Sequence, residues 1–530
     1  MRPAYSACII GTGSYTPPRI VPNAALANET IYKPDGTLYE EYNPAKLEEI
    51  AGIRERRYTD LSLQEMMAEA AFDLFDSVTL DGKRIDYVIC GTNSNPDNIE
   101  DISVPAVRLL QKRLGTAWSP EKTSIICGCP VGEACEDVAK QLIETERAKH
   151  VLVLTAENLK TDPYDMNKGL FGHAGGAALY AAEEDGEIEG LEIPFIFHSA
   201  GSRTGGVIED SVRHLRTALH ASALDLSGLE LLIVQRMQGI DGVIVPSDAS
   251  RIQKALAESY GLASDKEFAS CRMGALDVVS ADDETALELG RAYIESDDVQ
   301  SVGILRLSDR GEIAAAVMRS AHSREKRTRR KGIQQVYRRT NGFQGDFIPM
   351  EPSYNPHYPD RAEKFLHIKN KPVYVAAKKG IPDAVIALLG DLNLREVLMP
   401  QHNTNLRMIE ETALSILEKT GSDLTLKEFM EMTTPIIIHL FGNLSGVSVQ
   451  YGRDFAFKRR FEPALIPSSL KSHAGTVYEI GPNYHINPGK VEIDVSVGAG
   501  MTFWGKRQII GQEYFALRNR EYFKKRGFDI

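Results

Sequence analysis

Several things are scarce in this sequence, and each scarcity removes a class of protein. Six cysteines in 530 residues are too few for a disulfide framework. Cys127 and Cys129 are spaced CxC, not CxxC, and no second ligand pair follows, which disfavours a zinc site or a dithiol redox motif. No metal ion or bound cofactor is expected. No apolar run approaches the roughly 18–20 residues needed to span a bilayer. The opening MRPAYSACIIGTG carries one basic residue and a short apolar stretch that reads as a strand, so a signal peptide is not expected. Positive charge is not in excess either. Lys and Arg number 61 against 73 Asp and Glu, a formal net charge of −12, which argues against non-specific binding to nucleic acid. A reducing cytoplasm is the compartment these absences imply.

What is present is the pattern of a large α/β protein. The length calls for two to four domains of about 100–200 residues. SACIIG (6–11) reads as a strand, LQEMMAEAAFDLFD (63–76) as a helix and IDYVICG (85–91) as a buried strand. VPAVRLLQKRLG (104–115) is helical, TSIICG (123–128) a strand, VGEACEDVAKQLIE a helix and HVLVLTAE (150–157) a strand. Alternation of this kind predicts an α/β domain. The stretch 183–332 continues it with LELLIV (229–234), SRIQKALAESYG, DETALELGRAYIES and SVGILRL (301–307), and is long enough to be a domain of its own. A basic run from Arg324 to Lys331 closes it, read as a solvated linker or, more sharply, as a dock for an acidic carrier protein. From residue 371 the α/β pattern returns, with a short strand VLMP (397–400), a helix from about Asn405, apolar PIIIHLFG (435–442) and the alternating VEIDVSVGAG (491–500).

Cys129 stands out locally. It lies between a strand and a helix, and Pro130 after it is suited to the first helical position. Val131, Ala134, Cys135, Val138, Ala139 and Leu142 form one apolar helical face. This makes Cys129 an N-cap candidate whose sulfur lies near the positive end of the helix dipole, where thiolate is favoured. Cys8, Cys90 and Cys135 read as small buried hydrophobes, and Cys127 as a strand neighbour on the same face as Cys129 but without the cap position.

Seven separated segments, in order, resemble β-ketoacyl-(acyl carrier protein) synthase III of the thiolase superfamily. They are IIGTGSYTPPRIVPN (9–23), GIRERRY (52–58), CGCPVGEACEDVAKQLI, LFGHAGGAALY (170–180), QHNTNLRMIEE (401–411), FGNLSGVS (441–448) and VGAGMTFWGKRQII (497–510). The resemblance covers about 1–182 and 333–530. It implies a five-layered αβαβα thiolase fold built from two similar halves, with residues 183–332 as an inserted α/β subdomain, and it implies a homodimer. It places Cys129 at the nucleophile, His402 at the catalytic histidine and Asn443 at the catalytic asparagine. The backbone N–H groups of Cys129 and Gly500 take the oxyanion-hole positions. His173 stands where aspartate is usual.

The chemistry implied is acyl transfer from a thioester to Cys129, followed by decarboxylative Claisen condensation with a malonyl- or β-ketoacyl-type thioester. Nε2–H of His402 and the side-chain NH₂ of Asn443 would donate to the enolate oxygen. Thiolases use a second cysteine as acid/base, and no cysteine falls in 333–530, the C-terminal thiolase half. Hydroxymethylglutaryl-CoA synthases use a glutamate after a Gly-Thr pair, whereas Gly91-Thr92 is followed by Asn93. The alternatives are acyl transfer without condensation and a non-catalytic scaffold that keeps the triad as a relic.

The departures concern the insertions. FASCRMGALDVV around Cys271 faintly echoes the unit around Cys129, and RIQKALAESYGLA echoes RLLQKRLGTA, which raises a partial internal duplication as a lesser reading; Cys271 itself reads as structural. A second insertion, roughly 451–488, stands where it could shape the pocket. The tryptophan that helps hold the adenine of coenzyme A in such enzymes has no counterpart near YEEY (39–42), since only Trp118 and Trp504 exist. Acyl carrier protein is therefore the expected partner, with acyl thioesters of it or of coenzyme A as substrates. The extra segments point to specialised lipid or polyketide synthesis, with cyclisation after condensation as one outcome.

Overall fold

One strand–helix sequence is used three times along this chain. The computed structural model describes residues 2–27, 29–40, 43–94, 101–159, 161–188, 195–202, 206–236, 248–262, 273–280, 284–308, 312–320, 328–458, 469–481, 484, 486–498 and 501–525. The first pass runs β1 (Arg2–Tyr15), α1 (Leu63–Ser77), β2 (Tyr87–Gly91), α2 (Ser103–Leu114), β3 (Glu121–Ile126), α3 (Val131–Glu144), β4 (His150–Glu157), β5 (Ala174–Ile188). The second runs β6 (Phe195–Ser202), α4 (Val207–Ala221), β7 (Leu231–Arg236), α5 (Asp248–Ser259), β8 (Gly274–Val279), α6 (Thr285–Glu295), β9 (Ser301–Leu307), β10 (Glu312–Arg319). The third runs β11 (Gly332–Arg339), α7 (Asn370–Leu389), β12 (Val397–Leu398), α8 (Leu406–Thr420), α9 (Leu426–Thr433), α10 (Ser448–Phe457), β13 (Val491–Gly498), β14 (Thr502–Ile509).

The first two passes share one ten-stranded sheet in the order β1-β5-β4-β2-β3-β8-β7-β9-β10-β6. Within each pass the order is first, fifth, fourth, second, third. The first–fifth and fifth–fourth pairs are antiparallel and the remaining pairs parallel in both. The third pass builds a second sheet, β11-β14-β13-β12, with the same order and directions but no third strand. The apolar PIIIHLFG stretch occupies that place, and it holds the short helix Ile438–Phe441. Strands such as β4 are buried along nearly their whole length because helices cover both faces, which explains their continuous apolar runs. Local chemistry fixes the helix starts: Ser62 and Glu65 form a capping box on α1, and Asn405 caps α8, which ends at Gly421 in the left-handed region (φ 62°).

Helices α3 and α10 lie between the two sheets, while α1 packs outside the first sheet and α7 outside the second. The result is five layers, αβαβα. All fourteen residues of α3 are buried, including six charged or amide side chains. Each is answered: Glu136 by Arg453 and Lys506, Asp137 by Arg338, Lys140 and Gln141 by Asp298, Glu144 by Arg329 and Glu133 by Ser496. Burial alone would raise the Glu136 carboxyl, but Arg453 and Lys506 hold it below its ordinary range.

Residues 195–319, within the stretch 183–332 read from sequence as an inserted domain, extend the first sheet through β8. Along its described part the basic run is exposed at Thr328, Arg330 and Lys331 and buried only at Arg329. Arg329 is buried against Glu144, and Lys331 pairs with Glu183; residues 324–327 lie outside the described residues. In KRR (458–460), Lys458 is buried between Asp73 and Asp454, and Arg459 and Arg460 lie outside the described residues. Of the second insertion, the hairpin Ser469–Lys471/Val477–Glu479 leans on α8 through Tyr478 to Glu410, and Tyr484 beyond it donates to the Met430 carbonyl of α9.

Candidate active site

Cys129, His402 and Asn443 line one cavity of about 520 Å³. They come from the ends of β3 and β12 and from the turn before α10, so the site sits where strands of both sheets finish, the usual ligand position in α/β architectures. A wider cleft of about 850 Å³, lined by Asp86, Trp118, Glu121 and Lys149, lies at the opposite end of β2, β3 and β4, and no cysteine lines it.

Cys129 is one residue farther from the helix than its sequence suggests. Pro130 takes the N-cap position and α3 begins at Val131. Cys129 is 8% exposed, and burial, together with the charges of Glu157 and Glu133, pushes the thiol up to about 12. Desolvation therefore outweighs the helix dipole, and the resting group is a thiol, not the favoured thiolate the sequence implied. A hydrogen bond from Ser445 works against this shift: its hydroxyl donates to Cys129 Sγ at 3.3 Å. Cys127 does not share the site; its sulfur faces the Ala275 carbonyl of β8, 3.7 Å away.

His402 is fully enclosed, and burial pulls its imidazole down to about 4, so it is neutral near pH 7. Nδ1 stands 3.0 Å from the Val497 carbonyl oxygen, which can only accept, so Nδ1 carries the proton. Nε2 stands 3.0 Å from Asn443 Oδ1, which also accepts the N–H of Ser445 at 2.8 Å. The neutral ring thus points a lone pair at Asn443, in place of the Nε2–H the sequence reading assumed. Once Nε2 is protonated, Asn443 Oδ1 accepts from it as well, and the two acceptors offset only part of the burial penalty on the charged ring.

Three residues that the sequence reading passed over complete the site. Asn93 donates from Nδ2 to Ser445 Oγ (3.2 Å) and, more weakly, to Cys129 Sγ (3.6 Å). Its Oδ1 is buried with no hydrogen-bond partner among the described residues. Glu157, at the end of β4, accepts from Asn93 N and Ser94 Oγ, and burial lifts its carboxyl to about 7. Ser445 follows Leu444 in the left-handed region (φ 48°), an uncommon place for a residue with a Cβ. The signals were a glutamate ending the apolar strand VLVLTAE and polar residues directly after β2; both are weak without the fold.

Gly500 lies outside the described residues. Gly498 presses on the nucleophile: a Cβ there would lie 2.3 Å from Cys129 N, so only glycine allows β13 to approach this closely. His173 lies outside the cavity, its ring against Tyr58. The cavity's apolar lining includes Leu170, Phe171, Ile348, Leu366 and Met408, and exposed Lys46, Lys371 and Arg407 stand at its mouth with half-buried Tyr39. None of the described residues of 451–488 lines it.

No protein-family model matches the chain. Among curated proteins it is similar to β-ketoacyl-[acyl-carrier-protein] synthase III of Oceanobacillus iheyensis, 28% identical over 274 residues, covering 49% of this chain and 81% of that protein. The enzyme of the same name from Pseudoalteromonas atlantica is 29% identical over 208 residues, 37% of this chain and 56% of that one. A third, from Vibrio parahaemolyticus, is 30% identical over 191 residues, 33% of this chain and 53% of that one. The chain thus spans little more than half the length of two of these relatives. Among solved structures, the priming β-ketosynthase of the R1128 polyketide pathway superposes with a TM-score of 0.52 at 15% identity, over 96% of this chain and 98% of that one. The 3-oxoacyl-(acyl carrier protein) synthase III of Pseudomonas aeruginosa does so with 0.50 at 14%, over 96% and 98%.

Proposed function

We propose that this chain, a relative of β-ketoacyl synthase III with the thiolase fold, is a condensing enzyme that carries an acyl group on Cys129. The observation that carries this reading is the convergence of Cys129, His402 and Asn443, from distant parts of the sequence, on one apolar cavity. In the first half-reaction the Cys129 thiol gives its proton to Nε2 of His402 as sulfur attacks the thioester carbonyl. The imidazolium is then held by the Val497 carbonyl at Nδ1 and Asn443 Oδ1 at Nε2. The oxyanion meets the N–H of Cys129 and, as the resemblance implies, that of Gly500. Collapse expels the carrier sulfur, which takes the proton back from Nε2 and leaves as a thiol.

In the second half-reaction a malonyl-type thioester loses CO₂ and its electron pair becomes an enolate. One proton is taken up per turnover. Held on Nε2, it lets His402 donate to the enolate oxygen, beside the Asn443 amide. The enolate carbon attacks the acyl carbonyl, the Cys129–acyl bond breaks, and the sulfur recovers the proton. Lys46, Lys371 and Arg407 at the mouth suit the phosphate of a pantetheine arm, on acyl carrier protein or coenzyme A. These three take over the docking role assigned from sequence to the basic run Arg324–Lys331. A cytoplasmic setting fits; among the described residues no helix is long and apolar enough to cross a membrane.

The test is product analysis by mass spectrometry with an acyl thioester and malonyl-acyl carrier protein. A β-ketoacyl thioester, or a cyclised derivative of one, supports condensation. Acyl exchange between carriers without CO₂ release would assign acyl transfer alone.

A further inference from the structure

We propose that residues 195–319 take the place of a second copy's first unit, so that the chain works as a monomer with one acyl site, and that Val279 of this unit backs the wall of that site. The part concerning the wall rests on the acyl-thioester reading above; the part concerning assembly does not.

The strand ladders define which positions correspond. In the first unit Tyr87 pairs with Glu121 and Val151, and Val151 with Tyr180. In the second, Leu231 pairs with Gly274 and Val302, and Val302 with Met318. Glu121 therefore corresponds to Gly274, and Ile125 to Val278. Across the junction of the two units, Ile125 pairs antiparallel with Val278, its own counterpart. The flanking pairs, Ile126 with Asp277 and Ser124 with Val279, exchange under the same local two-fold axis. Two copies of the first unit meeting edge to edge through β3 would form this arrangement. Here one chain forms it internally.

The helices obey the same relation. Counterparts α3 and α6 face each other, with Tyr293 Oη donating to Asp137, Ser296 meeting Gln141, and Asp298 just beyond α6 accepting from Lys140. An open β3 edge would be a template for self-association; β8 closes it. The second unit brings no second active site. Counting on from the ladder, the position of Cys129 falls on Asp282, which is not a thiol. The homodimer implied by resemblance would need another surface.

The unit nevertheless reaches the site. Val279 is buried in one apolar cluster with Ile126, Phe171, Ile348 and Leu366, and three of these, Phe171, Ile348 and Leu366, line the cavity. Val279 acts through them as a positioning residue.

Two measurements decide this. Sedimentation equilibrium of the full chain over a wide concentration range is expected to return the monomer mass of 58.6 kDa throughout; a dimer at any working concentration overturns the assembly claim. The chain-length profile of Cys129 acylation is then compared between wild type and Val279→Ala, with Val279→Ile as the conservative control. The alanine variant is expected to shift the optimum longer by about two methylene groups, the volume removed, and the isoleucine variant to shift it shorter or leave it. An unchanged profile in a folded Val279→Ala protein overturns the wall claim. If no thioester acylates even the wild type, the parent reading fails with it, while the mass still decides the assembly.

Discussion

The hydroxyl of Ser445 donates to the sulfur of Cys129 from 3.3 Å, and the backbone N–H of the same residue holds Asn443 Oδ1. One residue thus ties the nucleophile to the amide that faces His402. Replacing Ser445 by alanine removes the hydroxyl bond and keeps the backbone one. A hydrogen bond to a developing thiolate is worth about 1.5–3 kcal/mol, so the acylation rate of Ser445→Ala should fall about ten- to hundredfold. Stopped acylation assays read by intact mass check this. An unchanged rate would mean that the hydroxyl does not act on the sulfur.

The thiol of Cys129 is pushed up to about 12, mainly by burial. Its alkylation by iodoacetamide, taken as the difference between wild type and Cys129→Ala, should therefore keep rising from pH 7 to the alkaline limit of the fold. A plateau near neutrality would show a depressed thiol and restore the helix-dipole expectation.

His402, buried and lowered from 6.5 to about 4, makes stability depend on acid in a definite sense. Between those values the unfolded chain takes up a proton that the folded chain refuses. The contribution is intact above pH 6.5 and is lost as pH falls towards 4. Between pH 7 and pH 5 the wild type should lose about 2 kcal/mol more than His402→Gln, at about 1.4 kcal/mol per pH unit. Urea titration at the two pH values measures it. Equal losses would place a charged imidazole in the native site.

Asp298 sits among Lys140, Arg329 and Arg338 at the seam of all three units. Those cations hold its carboxyl well below the usual range despite burial. Asp298→Ala leaves three buried cations underpaired and should cost about 3–5 kcal/mol, seen as a lower urea midpoint. A near-neutral result would mean that the seam relaxes around the loss.

How much of this was legible in the sequence depends on the residue. Cys129 carried a local signal, a strand followed by proline and an amphipathic helix. His402 and Asn443 carried none beyond the motifs around them, because a lone histidine or asparagine looks the same in a core as in a site. The strand–helix alternation of 183–332 was readable, and the segments RIQKALAESYG and RLLQKRLGTA, alike in sequence, fall on the corresponding helices α5 and α2. The likeness around Cys271 was not in register. That cysteine precedes β8, whereas Cys129 follows β3, and only the hydrogen-bonded ladders reveal the offset. The thiolate expectation failed for a similar reason. The dipole of α3 is a local property, but the burial that overrides it is created by layers distant in sequence.

The central claim is that Cys129 carries the acyl group. Intact-protein mass after incubation with a panel of acyl thioesters, on coenzyme A and on acyl carrier protein, tests it most directly. A single acyl mass increment on the wild type that disappears in Cys129→Ala is the predicted result. No increment with any carrier, or one that survives in Cys129→Ala, would contradict it and turn attention to a binding role for this fold.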